Sequence, residues 1–339
     1  MTRLPAILKV RALPVDRAEI AEQAAAYAKA AQSDNTQRAY QGDWATFAGW
    51  CEVQGEESLP ASAGTVAAFL IATAGKIAVV TQRRRLAAIL HKHREAGHHL
   101  DLTVPGFQSV WAGIRRTHGR PPVKKQAIMT PVLRHALEAL PDTITGMRDR
   151  ALLLVGFAGA LRRTELAVAA VSAGEGAAVW IEETADGLTV HLNKSKADQE
   201  GDGQQVGIPF GSNPATCPVR AWRTWLQAAG ITSGRAFRSI DRHGRIGESI
   251  SDKAVALIVK STIVAGELAH GASESDALAI AGRFAGHSLR SGLATSAAVN
   301  DVAGHLIQKQ LRHKKFDTTS GYIQAANLHR KNAAAGVGL

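Results

Sequence analysis

The first third of the chain places apolar residues at helical spacing. Between residues 36 and 51, aromatic side chains recur every three or four positions, at Tyr40, Trp44, Phe47 and Trp50, so they share one face of a helix. Alanine-rich or periodic apolar runs predict further helices at residues 18–31, 60–70, 81–97 and 105–114. Because no strand pattern occurs before residue 120, this part is predicted to be a small helical bundle.

A short segment without periodicity divides the chain. Residues 119–130, GRPPVKKQAIMT, contain two prolines and the pair Lys124 and Lys125, which predicts an extended basic linker. Residues 1–17 also lack a sustained period and are predicted to form a flexible arm. The expected organisation is an arm at 1–17, a helical domain at 18–118, the linker, and a second domain at 131–339.

The second domain is predicted to be mostly helical with one small sheet. Helical patterns return at 131–140 and 146–158, and three strand patterns follow at 178–181, 188–192 and 206–210. The chain becomes helical again beyond Pro214. The predicted fold class is therefore mainly α: a helical-bundle domain, then a mostly α domain with a small antiparallel β-sheet.

Candidate chemistry concentrates near the carboxyl end. His287 and Arg290 lie at positions i and i+3, which face the same side of a helix. His313 follows, and Tyr322 lies nine residues beyond it. Arginine offers a planar fork of donors to phosphate oxygens, histidine moves a proton near neutral pH, and a tyrosine hydroxyl can attack phosphorus. These residues therefore point to a phosphate target.

This spacing resembles the carboxy-terminal signature of the tyrosine recombinases, the phage-integrase family: His-x-x-Arg, Leu-x-His and a nucleophilic Tyr nine residues later. An upstream box, GALRRTEL at residues 159–166, resembles the family's first conserved box. That resemblance points to Arg162 rather than Arg163 as a phosphate ligand, with Glu165 on the same helical face able to orient the site. Alone, this box would be an ordinary solvated helix turn.

The resemblance also implies a lysine general acid on a hairpin. Between the second and third predicted strands, a polar, glycine-rich loop holds Lys194 and Lys196. The family's hairpin lysine matches Lys196, with Lys194 as the competitor. Both could instead be exposed lysines of a flexible turn.

The first domain is similar to that of Cre-like members of the family. Arg83, Arg84 and Arg85 match the start of a helix that enters the major groove, where they could read bases or only phosphates. Two positions depart from relatives. Arg312 stands where most integrases carry Gly, and it could contact DNA or simply reach solvent. His313 matches most integrases, although Cre itself has Trp there.

The resemblance implies a C-shaped clamp on double-stranded DNA with inverted-repeat sites. The chain would cleave and rejoin strands through a covalent 3′-phosphotyrosine and a Holliday junction, as a homotetramer on two sites, without metal or ATP. A tail helix after Tyr322 would pack into a neighbouring subunit, unless the terminus is frayed. The alternatives are a type IB topoisomerase, a catalytically silent DNA-binding protein of this fold, and a helical RNA-binding protein.

Composition fits a nucleic-acid partner and a reducing compartment. The formal net charge is +11, which suits a polyanion but does not name a reaction. Two distant cysteines offer no disulfide framework, and no apolar run is long enough for a membrane span, so a cytoplasmic protein is expected. A histidine cluster, at residues 91, 93, 98 and 99, could suggest zinc. Its spacing favours a solvated or DNA-facing helix end, and no metal is expected.

Overall fold

The computed structural model describes residues 16–30, 33–121, 123, 125–174, 177–193 and 203–328. The chain divides into two compact units, Met1–Val123 and Lys124–Leu339. Each unit builds its own apolar core.

Among its described residues, the first unit has helices joined by short loops and no strand. Its helices are α1 (Arg17–Ala30), α2 (Asp34–Gln54), α3 (Ala63–Thr73), α4 (Val79–Glu95) and α5 (Pro105–His118). The five predicted helices are thereby confirmed. Ser33 and Ser62 start α2 and α3, because each side chain accepts a hydrogen bond from the backbone N–H three residues later.

The aromatic face of α2 forms the core of the first unit. Phe47 is fully buried, and its ring meets Phe69 of α3 edge to face, with 5.2 Å between ring centroids. Trp50 packs on the same Phe69 ring at 5.5 Å. Aromatic pairs in this geometry add stability beyond their buried area. The aromatic spacing read from the sequence therefore identified the packing face of α2.

The second unit has more helices and one sheet. Before the sheet come α6 (Thr130–Glu138), α7 (Ile144–Ala158) and α8 (Arg163–Val168). The strands are β1 (Ala169–Ala170), β2 (Val179–Thr184), β3 (Gly187–Leu192) and β4 (Gln204–Pro209). After it come α9 (Pro218–Ala229), α10 (Asp252–Ala269), α11 (Glu274–Gly282), α12 (Ser288–Val299), α13 (Gly304–Leu311) and α14 (Phe316–Ala326).

The sheet is mixed, which corrects the predicted antiparallel sheet. Its order is β1-β2-β3-β4, and the three predicted strands are antiparallel to one another, with Ile181 opposite Val190 and Val190 opposite Val206. The strand β1 pairs with β2 in parallel. A two-residue strand is too short to show an alternating pattern, so its sequence carried no signal.

The core of the second unit is centred on α7. Its residues from Ala151 to Val155 are all buried, with exposures of 5% or less, because this part of the helix is apolar on every side. This explains the longest apolar run of the sequence as a core helix. Among the helices of the described residues, none is long and apolar enough to cross a membrane.

A small alanine-rich cluster holds the last three helices together. Ala294 and Ala298 of α12 and Leu311 at the end of α13 are buried together, and Tyr322 and Ile323 of α14 pack against them. Alanine side chains let α14 approach α12 closely. This packing positions Tyr322. Of the tail helix predicted after Tyr322, residues 323–326 form the end of α14, and residues 329–339 lie outside the described residues. Its packing into a neighbouring subunit stays a prediction.

Candidate active site

A strained turn after α7 starts the site. Ala160 has φ 46°, a left-handed conformation that an alanine rarely adopts. Arg162 then occupies the N-cap position of α8. Its backbone N–H donates to Glu165 Oε2 at 2.8 Å, and its guanidinium donates to Glu165 Oε1 at 2.6 Å. Glu165 therefore fixes both the backbone and the side chain of Arg162.

Arg290 lies at the base of the site. The residue is 1% exposed, and its guanidinium donates to the carbonyl of Ala160 at 2.7 Å and to the carbonyl of Leu311. Burial, together with the positive charges of Arg162 and Arg312, lowers the pKa of Arg290 to about 9. Arg290 therefore stays protonated at pH 7 while it connects the turn at Ala160 to the end of α13.

Arg312 is buried, so both expectations for it, DNA contact and solvent exposure, are wrong. Its side chain is 2% exposed, and it donates to Glu165 Oε2 at 2.9 Å and to the Ala160 carbonyl at 3.1 Å. The residue caps α13 with φ 55° and ψ 42°. A left-handed conformation costs a non-glycine residue about 1–2 kcal/mol, and the ion pair with Glu165 is positioned to offset that cost.

The site carries an excess of buried positive charge. In the part of the chain that the structure describes, Glu165 is the one carboxylate bonded to Arg162 or Arg312, and Arg290 bonds only to carbonyls. Burial alone would raise the pKa of Glu165, but the charges of Arg312 and Arg162 outweigh burial and lower it. Three guanidinium groups therefore share one carboxylate charge. Buried charge is costly unless it is paired, so this cluster favours an anion.

His287 and Tyr322 meet at the surface of this cluster. His287 Nε2 lies 3.3 Å from the Tyr322 hydroxyl oxygen. Loss of surrounding water lowers the pKa of His287, and the charges of Arg290 and Arg162 lower it further. The imidazole is therefore neutral at pH 7, which is the form that can accept a proton.

His313 lies on the other side of Tyr322. Their rings are nearly parallel, with 6.1 Å between centroids, and His313 Nδ1 lies 2.9 Å from the hydroxyl oxygen of Thr319. Burial, followed by the charges of Arg290 and Arg162, lowers the pKa of His313 to about 4. With Thr319 donating to Nδ1, a neutral His313 keeps an N–H donor at Nε2.

The structure thus brings six of the seven candidate catalytic residues together. Lys196, the seventh, and its competitor Lys194 lie outside the described residues. Arg163, the alternative to Arg162, points elsewhere and pairs with Asp252 at 3.2 Å on the surface.

The candidate DNA-binding residues have different surroundings. In the first unit, Arg84 makes a two-bond ion pair with Asp43, and Arg85 lies 3.7 Å from the same carboxylate. Arg83 is exposed, and its side chain makes no hydrogen bond or ion pair with a described residue. In the second unit, Lys125 donates to the Gly282 carbonyl at 2.6 Å. Lys124 lies outside the described residues.

The histidine cluster does not form a metal site around His93. This residue is 1% exposed, its Nε2 accepts from the Ala61 N–H at 2.8 Å, and its Nδ1 lies 2.9 Å from the Ile89 carbonyl. Both ring nitrogens are thus bonded to backbone. The expectation of a solvated helix end is wrong for His93, which is part of the core.

Two contributors to the site were missed in the sequence. Thr319 lies three residues before Tyr322 on the same helix, so its spacing could have identified it. The carbonyl of Ala160, which receives both Arg290 and Arg312, gave no signal, because its role depends on a backbone turn.

A cluster of protonated arginines beside a tyrosine hydroxyl and a neutral histidine defines a site suited to phosphoryl transfer. A scan against models of protein families finds no match. A relative from Selenomonas ruminantium, an integrase/recombinase XerD homolog, is 35% identical over 315 residues, which cover 89% of this chain and 85% of that protein. The chain therefore belongs to the tyrosine recombinase family.

Solved structures of the family share the fold. The XerH site-specific recombinase bound to a palindromic difH substrate, in a post-cleavage complex, has TM-score 0.54 at 14% identity, covering 81% of this chain and 72% of that one. A lambda integrase dimer bound to a COC′ core site has TM-score 0.53 at 14% identity, covering 90% and 94%. At such identities the likeness shows the fold alone.

Proposed function

We propose that this chain is a site-specific DNA recombinase in which Tyr322 forms a covalent 3′-phosphotyrosine. The observation that carries this proposal is the contact between the Tyr322 hydroxyl and His287 Nε2 at 3.3 Å, beside buried Arg290. Membership of the tyrosine recombinase family supports site-specific recombination as the general activity.

Cleavage begins when the Tyr322 oxygen attacks the scissile phosphorus. A free tyrosine has a pKa of about 10, so His287 takes the phenolic proton as the new O–P bond forms. Arg162, Arg290 and His313 donate to the non-bridging oxygens, where negative charge develops. A lysine of the β3–β4 connection, Lys196, protonates the departing 5′-oxygen as the old P–O bond breaks.

Rejoining is the reverse of cleavage. A 5′-hydroxyl from another strand attacks the phosphotyrosine and gives its proton to the now neutral Lys196. As the new P–O bond forms, the bond to Tyr322 breaks, and His287 returns its proton to the Tyr322 oxygen. The phosphodiester bond energy is retained in the protein–DNA linkage, so the two steps need neither ATP nor a metal. Successive exchange of two strand pairs passes through a Holliday junction, with a homotetramer bound to two inverted-repeat sites.

The arrangement on DNA follows the two-domain organisation. The helical domain at 18–118 and the catalytic domain at 131–339 clamp the duplex, joined by the linker at 119–130. Arg83 is the best candidate of its triplet for DNA contact, since Asp43 engages Arg84 and Arg85. Lys124 and Lys125 add positive charge to the linker. A protein acting on DNA with buried free cysteines, Cys51 and Cys217, suits a cytoplasmic setting.

The test starts from DNA-binding selection. Immobilised protein selects its site from a pool of randomised duplexes, and the selected sequence is rebuilt with a nick that lets the cleaved strand diffuse away. Wild type should give a slow, protease-sensitive DNA adduct on a denaturing gel, in EDTA as in magnesium, whereas Tyr322→Phe should give none. Binding without an adduct would instead support a catalytically silent DNA-binding protein.

A relaxation assay separates the proposed recombinase from a topoisomerase. Supercoiled plasmid lacking the selected site should keep its supercoils in the presence of the protein. Relaxation of that plasmid by the protein alone would favour the topoisomerase alternative. Stronger binding to RNA than to duplex DNA would contradict both.

A further inference from the structure

The conformation of Arg312 is costly for its residue type. Its left-handed backbone, at φ 55°, is the one that glycine adopts most readily. The side chain is nevertheless buried, with 2% of its surface exposed. A strained backbone and a buried charge at one position imply that the side chain has a use which glycine could not serve.

The bonds of Arg312 lead to Arg162 through one carboxylate. Arg312 donates to Glu165 Oε2 at 2.9 Å, and Glu165 Oε1 receives the Arg162 guanidinium at 2.6 Å. Glu165 thus connects the two arginines. Without Arg312, Oε2 loses its charged partner and keeps only the Arg162 backbone N–H at 2.8 Å, so the carboxylate is held by Arg162 alone.

Arg312 also supports the strained turn that carries Arg162. Its guanidinium donates to the carbonyl of Ala160, which also accepts from Arg290. Ala160 itself has φ 46°, so two positive-φ residues are connected by one side chain. The turn, Glu165 and the end of α13 are thereby tied into one network.

We propose that Arg312 is a positioning residue that acts through Glu165 to hold the Arg162 guanidinium toward the scissile phosphate. This inference rests on the proposed strand-cleavage function. Arg312 does not contact the substrate itself, because its guanidinium is enclosed by the protein and faces Glu165 and Ala160. A glycine would adopt this backbone conformation without strain, but only an arginine here provides Glu165 with a charged partner.

The experiment compares substitutions at residue 312 on the nicked selected duplex at saturating protein. Arg312→Gly removes the network and relieves the backbone, and Arg312→Met fills the same space without donors. Both should slow adduct formation by about 10- to 100-fold, the usual effect of a misplaced active-site group, with DNA affinity close to that of wild type. Arg312→Lys, which can still reach toward Glu165, should restore part of the rate.

Asp301→Gly provides the matched control. Asp301 is another non-glycine residue with a positive φ, 60°, and it is exposed at the end of α12. Its replacement relieves the same kind of backbone strain outside the site, so it should leave the cleavage rate unchanged. An equal fall in rate for Asp301→Gly and Arg312→Gly, with Arg312→Met at the wild-type rate, would show that glycine rather than the lost guanidinium is responsible, and would overturn the proposal.

A double-variant cycle tests the route through Glu165. If Arg312 acts through this carboxylate, Arg312→Gly should add no more than about twofold to the loss caused by Glu165→Gln. If the rate losses of Arg312→Gly and Glu165→Gln multiply in the double variant, the inference is overturned. It is also overturned if Arg312→Gly or Arg312→Met cleaves at the wild-type rate, or if either variant loses only DNA affinity. A wild-type protein that binds DNA but forms no adduct would instead overturn the proposed function on which it rests.

Discussion

The arginines around Asp43 in the first unit and those around Glu165 in the second unit differ in number and in burial. In the first unit, Asp43 pairs with Arg84 and lies near Arg85, and the Arg84 side chain remains 53% exposed. In the second unit, Glu165 receives Arg162 and Arg312, while the bonds of Arg290 to described residues all go to carbonyls. In the first set, Arg84 is half exposed and only Asp43 is buried. In the second set, Arg290 and Arg312 are buried together with Glu165, and the positive charges outnumber the one carboxylate.

This difference separates surface arginines from a binding site. Exposed ion pairs contribute little and are screened by salt. Buried arginines that outnumber their carboxylates hold a potential that an anion can relieve. Burial and the ratio of arginines to carboxylates distinguish the two sets. Substitutions that change one region but spare the other test this distinction.

The largest effect is expected from the sequence neighbours Arg162 and Arg163. Arg162→Lys keeps the charge but loses the forked donors held by Glu165, so the rate of adduct formation should fall by about 100- to 1000-fold. Arg163→Lys changes an exposed pair with Asp252 and should stay within about twofold of wild type. Equal losses in the two variants, measured at saturating DNA, would mean that the cluster around Glu165 is not the phosphate site.

Removing the base should have an effect of similar or smaller size. His287→Gln should slow adduct formation by about 100-fold or more, because among the described residues it is His287 that lies within hydrogen-bond distance of the Tyr322 hydroxyl. The pKa of His287 is lowered from its ordinary value of 6.5, and the neutral form is active. The wild-type rate should therefore stay level below pH 6.5 and fall only as the pH drops through the lowered pKa.

Proton NMR titration of the free protein measures the pKa values of His287 and His313, which are lowered by burial and by the charges of Arg290 and Arg162. His313 should titrate near pH 4 and His287 below the ordinary histidine pKa of about 6.5. A His313 pKa above 6.5 would contradict the excess of positive charge that distinguishes this site from the first unit.

A smaller effect is expected from Thr319. Thr319→Val keeps the shape of a fully buried side chain but removes the hydroxyl that meets His313 Nδ1. The cleavage rate should fall by about 3- to 10-fold, which corresponds to one ordinary hydrogen bond. Thr318→Val, an exposed neighbour on α14, should have no effect. A rate unchanged by Thr319→Val would remove Thr319 from the account of the site.

The smallest effect is expected in the first unit. Arg83→Ala should weaken binding to the selected duplex by a few-fold and reduce the slope of log affinity against log salt by about 1, as expected for one lost phosphate contact. Arg84→Ala should mainly destabilise the first unit, by about 1–3 kcal/mol, because Asp43 is left buried without its partner. Identical salt slopes for wild type and Arg83→Ala would argue against a phosphate contact.

Local patterns predicted much of the fold. Periodic aromatic residues identified α2 and its buried face, because period and burial are linked within one helix. Similarly, the spacing of His287, Arg290, His313 and Tyr322 anticipated residues that the structure brings together. These residues lie on three successive elements whose packing depends on short-range alanine contacts.

Long-range contacts were beyond the sequence. The pairing of Arg84 with Asp43 spans 41 residues, and that of Arg312 with Glu165 spans 147. Nothing near residue 312 indicates burial, since an arginine beside a histidine is ordinarily solvated. The two-residue parallel strand β1 was too short to produce a pattern. These ion pairs and the burial of Arg312 depend on tertiary packing, which brings together residues that are far apart in the sequence.

The most direct test of the central claim identifies the residue that carries the DNA. Wild-type protein is trapped on the nicked selected duplex, then digested with nuclease and with a protease that cuts after Lys and Arg, and the peptides are sequenced by mass spectrometry. The peptide at residues 316–330 contains Tyr322 as its only tyrosine. A 3′-linked nucleotide on Tyr322 is the predicted result. Cleaved DNA with a free 3′-phosphate, or a nucleotide on any other residue, would contradict the account.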